Sequence, residues 1–250
     1  MPGIDPVRLG WFELGLFGLI AIVGPLLDLW LFTRLRRATA RNTAGARARY
    51  YVGGMIWQWG LVALLAWLWI SGGRSTDALH LGSTQPLRHV LGAILAGGYV
   101  WAALSARRRL LAQPEKLSRL MASMHAALPL LPHTRTEARL FAAVAITAGI
   151  TEEVLFRGFT LLWATSLLGP IVGFAVSTIA FGLAHLYLGR EHVIRTTLVG
   201  ALLAVVVLVA GNLWPAIVIH ATMDLCAGEL AYLALTRAER AGTVNLAPTA

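Results

Sequence analysis

Polar and apolar positions in this chain are segregated into long blocks. Seven apolar segments stand out: Trp11–Phe32, Tyr51–Ile70, His89–Leu104, Leu140–Ser166, Ile171–Leu188, Val193–Ala210 and Leu213–Leu233. A helix needs about 20 residues to cross the hydrocarbon of a bilayer. By that measure the third and fifth segments are short and the fourth is long. The pattern predicts an all-α fold, a polytopic transmembrane helix bundle of about seven spans. Segment Pro114–Leu131 reads differently, because Glu115, Lys116, Arg119 and His125 alternate with Leu117, Leu120, Met121, Met124 and Leu128. It predicts an amphipathic helix or linker lying on the membrane surface. Pro129 and Pro132 end it, and Thr134 or Thr136 is placed to cap the next helix. Gly169-Pro170 and the run from Gly211 to Pro215 read as tight turns, so the last four spans are closely connected and antiparallel. Three regions follow: N-terminal spans and linker (1–130), a helix bundle (131–240) and a C-terminal tail (241–250).

Composition supports this picture. Of 250 residues 57% are hydrophobic and 13% charged, and the mean hydropathy is +0.68, outside the usual range of soluble domains. The net charge of +9 would suggest nucleic-acid binding in a soluble protein. Its placement argues otherwise. All of the 21 Lys and Arg except Arg8, Arg74, Arg88 and Arg157 fall in alternate loops or at the span ends beside them. That is the positive-inside pattern, and it predicts an integral protein of a bacterial-type cytoplasmic membrane with its N-terminus outside and its C-terminus cytoplasmic. The bilayer is then the expected partner, and nucleic acid is not. The first apolar run has no small-residue cleavage site and reads as a retained span. The one cysteine, Cys226, excludes an internal disulfide and any multi-cysteine metal site.

The chemistry is concentrated where charge enters the apolar blocks. Between Gly149 and Gly158 the fourth segment carries Glu152, Glu153 and Arg157. A single acidic side chain at the centre of a span costs about 2.5–3.5 kcal/mol, so two of them require a reason. Glu153 and Arg157 are four apart and share a helix face, where they can pair. Glu152 lies about 100° further round the helix, so one arginine does not serve both. It is left as a carboxylate in a low-dielectric site, suited to act as a general base. The competing reading is a structural network that ties helices together. Phe181 and His185 share a face of the fifth segment, and His220 and Asp224 share one of the seventh. Asp224 is placed to fix the tautomer of His220, turning the other ring nitrogen toward the site. Lipid offers these groups no partners, so the three faces should converge. A carboxylate and two histidines suit activation of water for attack on a carbonyl, by either of two routes. In one, Glu152, His185 and His220 hold a zinc ion; in the other no metal is used, Glu152 is the base and histidine stabilises the oxyanion. Neither a His-Glu-x-x-His motif nor a nucleophilic serine elbow is present.

With these residues the sequence resembles the CPBP family of CAAX proteases and bacteriocin-processing enzymes, which includes the type II CAAX prenyl endopeptidases. Glu152-Glu153-Val-Leu-Phe-Arg157, Phe181 to His185 and His220 to Asp224 match its three motifs in order. Pro132, Glu137, Gly149, Gly200 and the run from Gly211 to Trp214 fit its flanks, over roughly 131–233. The resemblance implies an intramembrane endopeptidase acting on a membrane-associated peptide or protein. In it Glu152 would activate water, Glu153 with Arg157 would position the site, and His185 would be a base partner or oxyanion donor. His220 with Asp224 would complete the site, Asp224 standing where relatives often have asparagine; Phe181 is a positioning residue. Rival readings are a non-proteolytic immunity or scaffold member of the family and a proton-coupled transporter. The absence of an inverted repeat and of paired broken helices disfavours the transporter. Asp28 reads as a solvated partner of Arg34 or the headgroups. Trp57, Trp59, Trp67 and Trp69 read as an aromatic belt, and Cys226 as a packing residue.

Overall fold

The structure, a computed structural model, describes residues 10–82 and 85–240, and these are helical with no strand among them. Arg8 and the tail 241–250 lie outside the described residues. Helix α1 runs Trp11–Ala40, α2 Ala46–Ser71 and α3 Pro86–Leu111. A short amphipathic α4, Pro114–Ser123, and a single turn, His125–Ala127, lead to α5. Helix α5 covers 135–168 without a break, as Arg135–Glu152, a wide π segment Glu153–Thr160, and Leu161–Leu168. Then follow α6 (Pro170–Ala184), α7 (Arg190–Ala210) and α8 (Trp214–Arg240).

Five of these, α1, α2, α3, α7 and α8, are long and apolar enough to cross a membrane. Helix α5 carries the charged motif, and α6 has only 15 residues. Large side chains such as Ile22, Ile56, Trp67, Ile94, Trp101 and Leu198 stand exposed around the bundle, as a lipid-facing surface requires. The protein is an integral membrane protein. The third segment, read as short from His89 to Leu104, is in fact a full helix of 26 residues. Arginines 107 to 109 dilute its hydropathy without ending its backbone hydrogen bonds. The tryptophans are not all a belt: Trp69 is buried and donates to the Ser75 carbonyl (2.8 Å), and Trp57 lines an internal cavity, whereas Trp59 and Trp67 are exposed.

Helix α5 is central to the bundle. Helices α8 and α2 pack on its first part and α6 on its last. Gly149 makes the α5–α8 approach possible. A Cβ there would lie 2.8 Å from the Ala221 Cβ and 2.9 Å from its backbone nitrogen, so any side chain would push the helices apart beside His220.

The two ends of the bundle are tied separately. At one end the His80 carbonyl accepts from Leu213 N (2.9 Å), and Arg74 pairs with Glu13 (2.6 Å). At the other, Arg107 pairs with Glu229, and Arg237 donates to the Leu111 carbonyl (3.0 Å). The segment entering α5 is strapped at this second end. Arg47 donates to the Pro129 carbonyl (3.0 Å) and to His133 Nε2 (3.1 Å), and Tyr51 donates to the Leu130 carbonyl. Thr134 caps α5 in a reciprocal box with Glu137.

His133 accepts from Arg47 only while neutral. Burial first, then the Arg47 charge, holds its pKa below the ordinary 6.5. The unfolded segment therefore takes up the proton before the folded one does. The strap is at full strength above pH 6.5 and weakens as pH falls from there toward the lower folded-state pKa. Hydrogen exchange in 128–134, corrected for intrinsic rate, is expected to speed up on acidification in the wild type but not in His133→Gln. Equal pH dependence in both would refute this.

Candidate active site

The π segment begins at Glu153, inside the charged motif, and all eight of its residues are buried. Its wide turns keep Glu153 and Arg157 side by side. The Arg157 Nη1 to Glu153 Oε1 distance is 2.8 Å, and neither side chain is exposed at all. Arg157 also donates to the Gly200 carbonyl (3.1 Å), and its guanidinium lies 4.0 Å above the Phe181 ring. Gly200 has to be glycine for this: a Cβ would come within 2.8 Å of the Phe181 ring and 3.1 Å of the guanidinium. A charge pair taken out of water is costly unless its donors and acceptors are served; Gly200 and Phe181 serve the arginine in part, while Arg157 Nε and Glu153 Oε2 are buried with no hydrogen-bond partner among the described residues.

The same Glu153 oxygen meets His220 Nδ1 at 2.8 Å. A carboxylate only accepts, so Nδ1 carries the proton and Nε2 is left facing Glu152 Oε2 (3.9 Å) and Asp224 Oδ2 (3.6 Å). This corrects the role expected of Asp224. Glu153 fixes the His220 tautomer, reaching it from another helix, while Asp224 stands by the opposite nitrogen. Phe181 packs edge-on against the rings of both His220 and Phe156, which holds the imidazole plane.

Glu152 is not paired with Arg157. Its Oε1 accepts from Gln58 Nε2 on α2 (2.9 Å), and its Oε2, buried, has no hydrogen-bond partner among the described residues. His185 lies at the C-terminal end of α6, where its Nδ1 is 2.9 Å from the Phe181 carbonyl. That carbonyl accepts, so here too Nδ1 bears the proton and Nε2 remains for other work. Glu152, His185 and Asp224 line one cavity of about 310 Å³, walled mainly by apolar side chains such as Ile20, Leu61, Phe141 and Leu155. It reaches Leu130 and Leu131 of the strapped segment.

Gln58 and Asp28, which also line this cavity, lie outside the expected set. Gln58 was missed altogether. Asp28, read as a solvated partner of Arg34, instead lines the cavity with Glu152, while Arg34 stacks on Trp30. The zinc reading required three converging donors. Among the described residues no group of three His, Cys, Asp or Glu is placed to hold a metal ion.

This geometry of paired glutamates, arginine and two histidines falls inside a recognisable stretch of sequence. Residues 134–226 match the family described as Type II CAAX prenyl endopeptidase Rce1-like. Over that stretch the chain is similar to the Rce1-like family. The match is consistent with a CPBP family intramembrane protease, and the activity it indicates at the level of the family is that of a peptidase. No curated protein and no solved structure matches the chain significantly. The Rce1-like stretch takes in α5, α6, α7 and the first half of α8, and so all of Glu152, Glu153, Arg157, Phe181, His185, His220 and Asp224. It leaves out α1 to α4, and with them Gln58 and Asp28.

Proposed function

We propose that this protein is an intramembrane endopeptidase that hydrolyses a peptide bond of a membrane-associated substrate, of the CAAX type or a prepeptide, using water activated by Glu152. The observation that carries the reading is the buried, unpartnered Glu152 Oε2, 3.9 Å from His220 Nε2, on a side chain that lines an apolar cavity. A water held off the line between these two atoms would reach both.

Glu152 takes a proton from this water as its oxygen attacks the substrate carbonyl carbon. The protonated Glu152 then delivers that proton to the leaving nitrogen as the C–N bond breaks. His220, anchored through Nδ1 by Glu153, keeps its Nε2 toward the water. His185, with Nδ1 committed to the Phe181 carbonyl, donates from Nε2 to the oxyanion when it is the imidazolium. Arg157 neutralises Glu153, so that one carboxylate anchors while the other is free to change protonation. No step runs through a metal, and activity is expected to survive exhaustive chelation.

The end of the bundle that holds Arg47, Arg107, Arg190 and Arg237 is assigned to the cytoplasmic side, with the N-terminus outside. A cysteine placed at Ala112 should react with an impermeant reagent only from the cytoplasmic face. The hydrolytic reading itself is tested by comparing membrane peptides from cells carrying the wild type or Glu152→Gln. New termini are expected with the wild type alone, and identical peptide sets would contradict it.

A further inference from the structure

The Rce1-like stretch does not supply the amide that hydrogen-bonds Glu152. That group comes from α2. Gln58 gives its amide N–H to Glu152 Oε1 (2.9 Å), and its own amide oxygen accepts from Thr151 Oγ1 (3.1 Å). Thr151, next to Glu152 in sequence and fully buried, also lies 2.8 Å from the Thr147 carbonyl. Its single hydroxyl proton is thus shared between two acceptors.

We propose that Gln58, oriented by Thr151, is the positioning residue that aims Glu152, a proposal that rests on Glu152 being the base. Turning the Gln58 amide over would place its carbonyl against the Glu152 carboxylate, two acceptors face to face. The orientation found is the one in which both contacts are satisfied. It has three consequences for the base. One carboxylate oxygen is tied, so the other, Oε2, is the oxygen left to take a proton. The long side chain is held in one rotamer beside His220 instead of sampling the cavity. The donor is also neutral: a cation here would hold the carboxylate in an ion pair and weaken it as a base, whereas an amide orients it without neutralising it.

The test uses the full chain in lipid vesicles, with a membrane-anchored CAAX-type peptide as probe. Gln58→Met keeps the length and volume of the side chain and removes both amide contacts. It is expected to lower kcat about 10–100-fold while changing KM less than about 3-fold, because substrate binding is kept and base alignment is lost. Thr151→Val should fall in the same direction by about 10-fold, and Thr151→Ser, which restores the hydroxyl, should recover most of the rate. A Gln58→Met protein with wild-type kcat, beside an inactive Glu152→Gln, would overturn the proposal and leave the base assignment intact. Cleavage by Glu152→Gln at the wild-type rate would overturn the base assignment itself. Infrared difference spectra judge the contact without any turnover. Gln58→Met should shift a carboxylate stretch toward that of a less hydrogen-bonded group, and the shift should vanish in a Glu152→Gln background. An unshifted band in Gln58→Met, or in Thr151→Val should the first variant not fold, refutes the proposal.

Discussion

A Glu152→Gln protein is expected to hydrolyse its substrate about 10²–10⁴-fold more slowly than the wild type, the usual contribution of a positioned general base. Gln58 can turn its amide to suit the new side chain, and Glu152 takes no part in the buried ion pair, so folding should be preserved. The loss should therefore appear in kcat with an unchanged melting temperature in detergent. Glu152→Asp should fall between the two, because a shorter acid keeps the charge but withdraws from both Gln58 and His220. A Glu152→Gln protein of wild-type activity would remove the base from the mechanism.

The largest effect on stability belongs to Arg157. Arg157→Met would leave Glu153, which has no exposed surface, without its arginine, and would break the Gly200 and Phe181 contacts as well. Removing one partner of a buried pair costs about 3–5 kcal/mol, mostly through the charge left behind. Adding Glu153→Gln to Arg157→Met removes that charge and should return a large part of the stability. It should not return activity, because His220 then loses the carboxylate that holds its Nδ1 proton. Thermal unfolding with a parallel cleavage assay separates the two roles. An Arg157→Met protein that melts with the wild type would contradict the ion-pair account.

The residues that were legible in the sequence are those whose burial is costly within one helix. Glu152, Glu153 and Arg157 declare themselves because charge in an apolar run demands an explanation, and the spacing of Glu153 and Arg157 already states that they pair. Pairing between helices is not legible in the same way. Asp224 sits one turn from His220 and was the local choice to hold its ring. Glu153 does so from 67 positions away, an arrangement that depends on α5 and α8 closing against Gly149. The π segment is also a product of packing, and no periodicity in the sequence marks it. The sequence offers Asp28 either Arg34 or the headgroups, yet six residues along a helix turn through about 600°, which puts Asp28 and Arg34 on different faces. Gln58 could have been found. It is a lone amide amid the apolar and aromatic residues of the second segment, and the rule that drew attention to the glutamates applies to it equally.

The central claim is that a water held by Glu152 and His220 attacks the peptide bond directly. The measurement that tests it most directly is cleavage of a membrane-anchored peptide by the reconstituted protein in ¹⁸O-labelled water, with chelator present and hydroxylamine added as a trap. The account predicts a new carboxylate carrying one ¹⁸O atom, no hydroxamate, and neither product from Glu152→Gln. Hydroxamate formed by the wild type, or labelled product from Glu152→Gln at the wild-type rate, would contradict it.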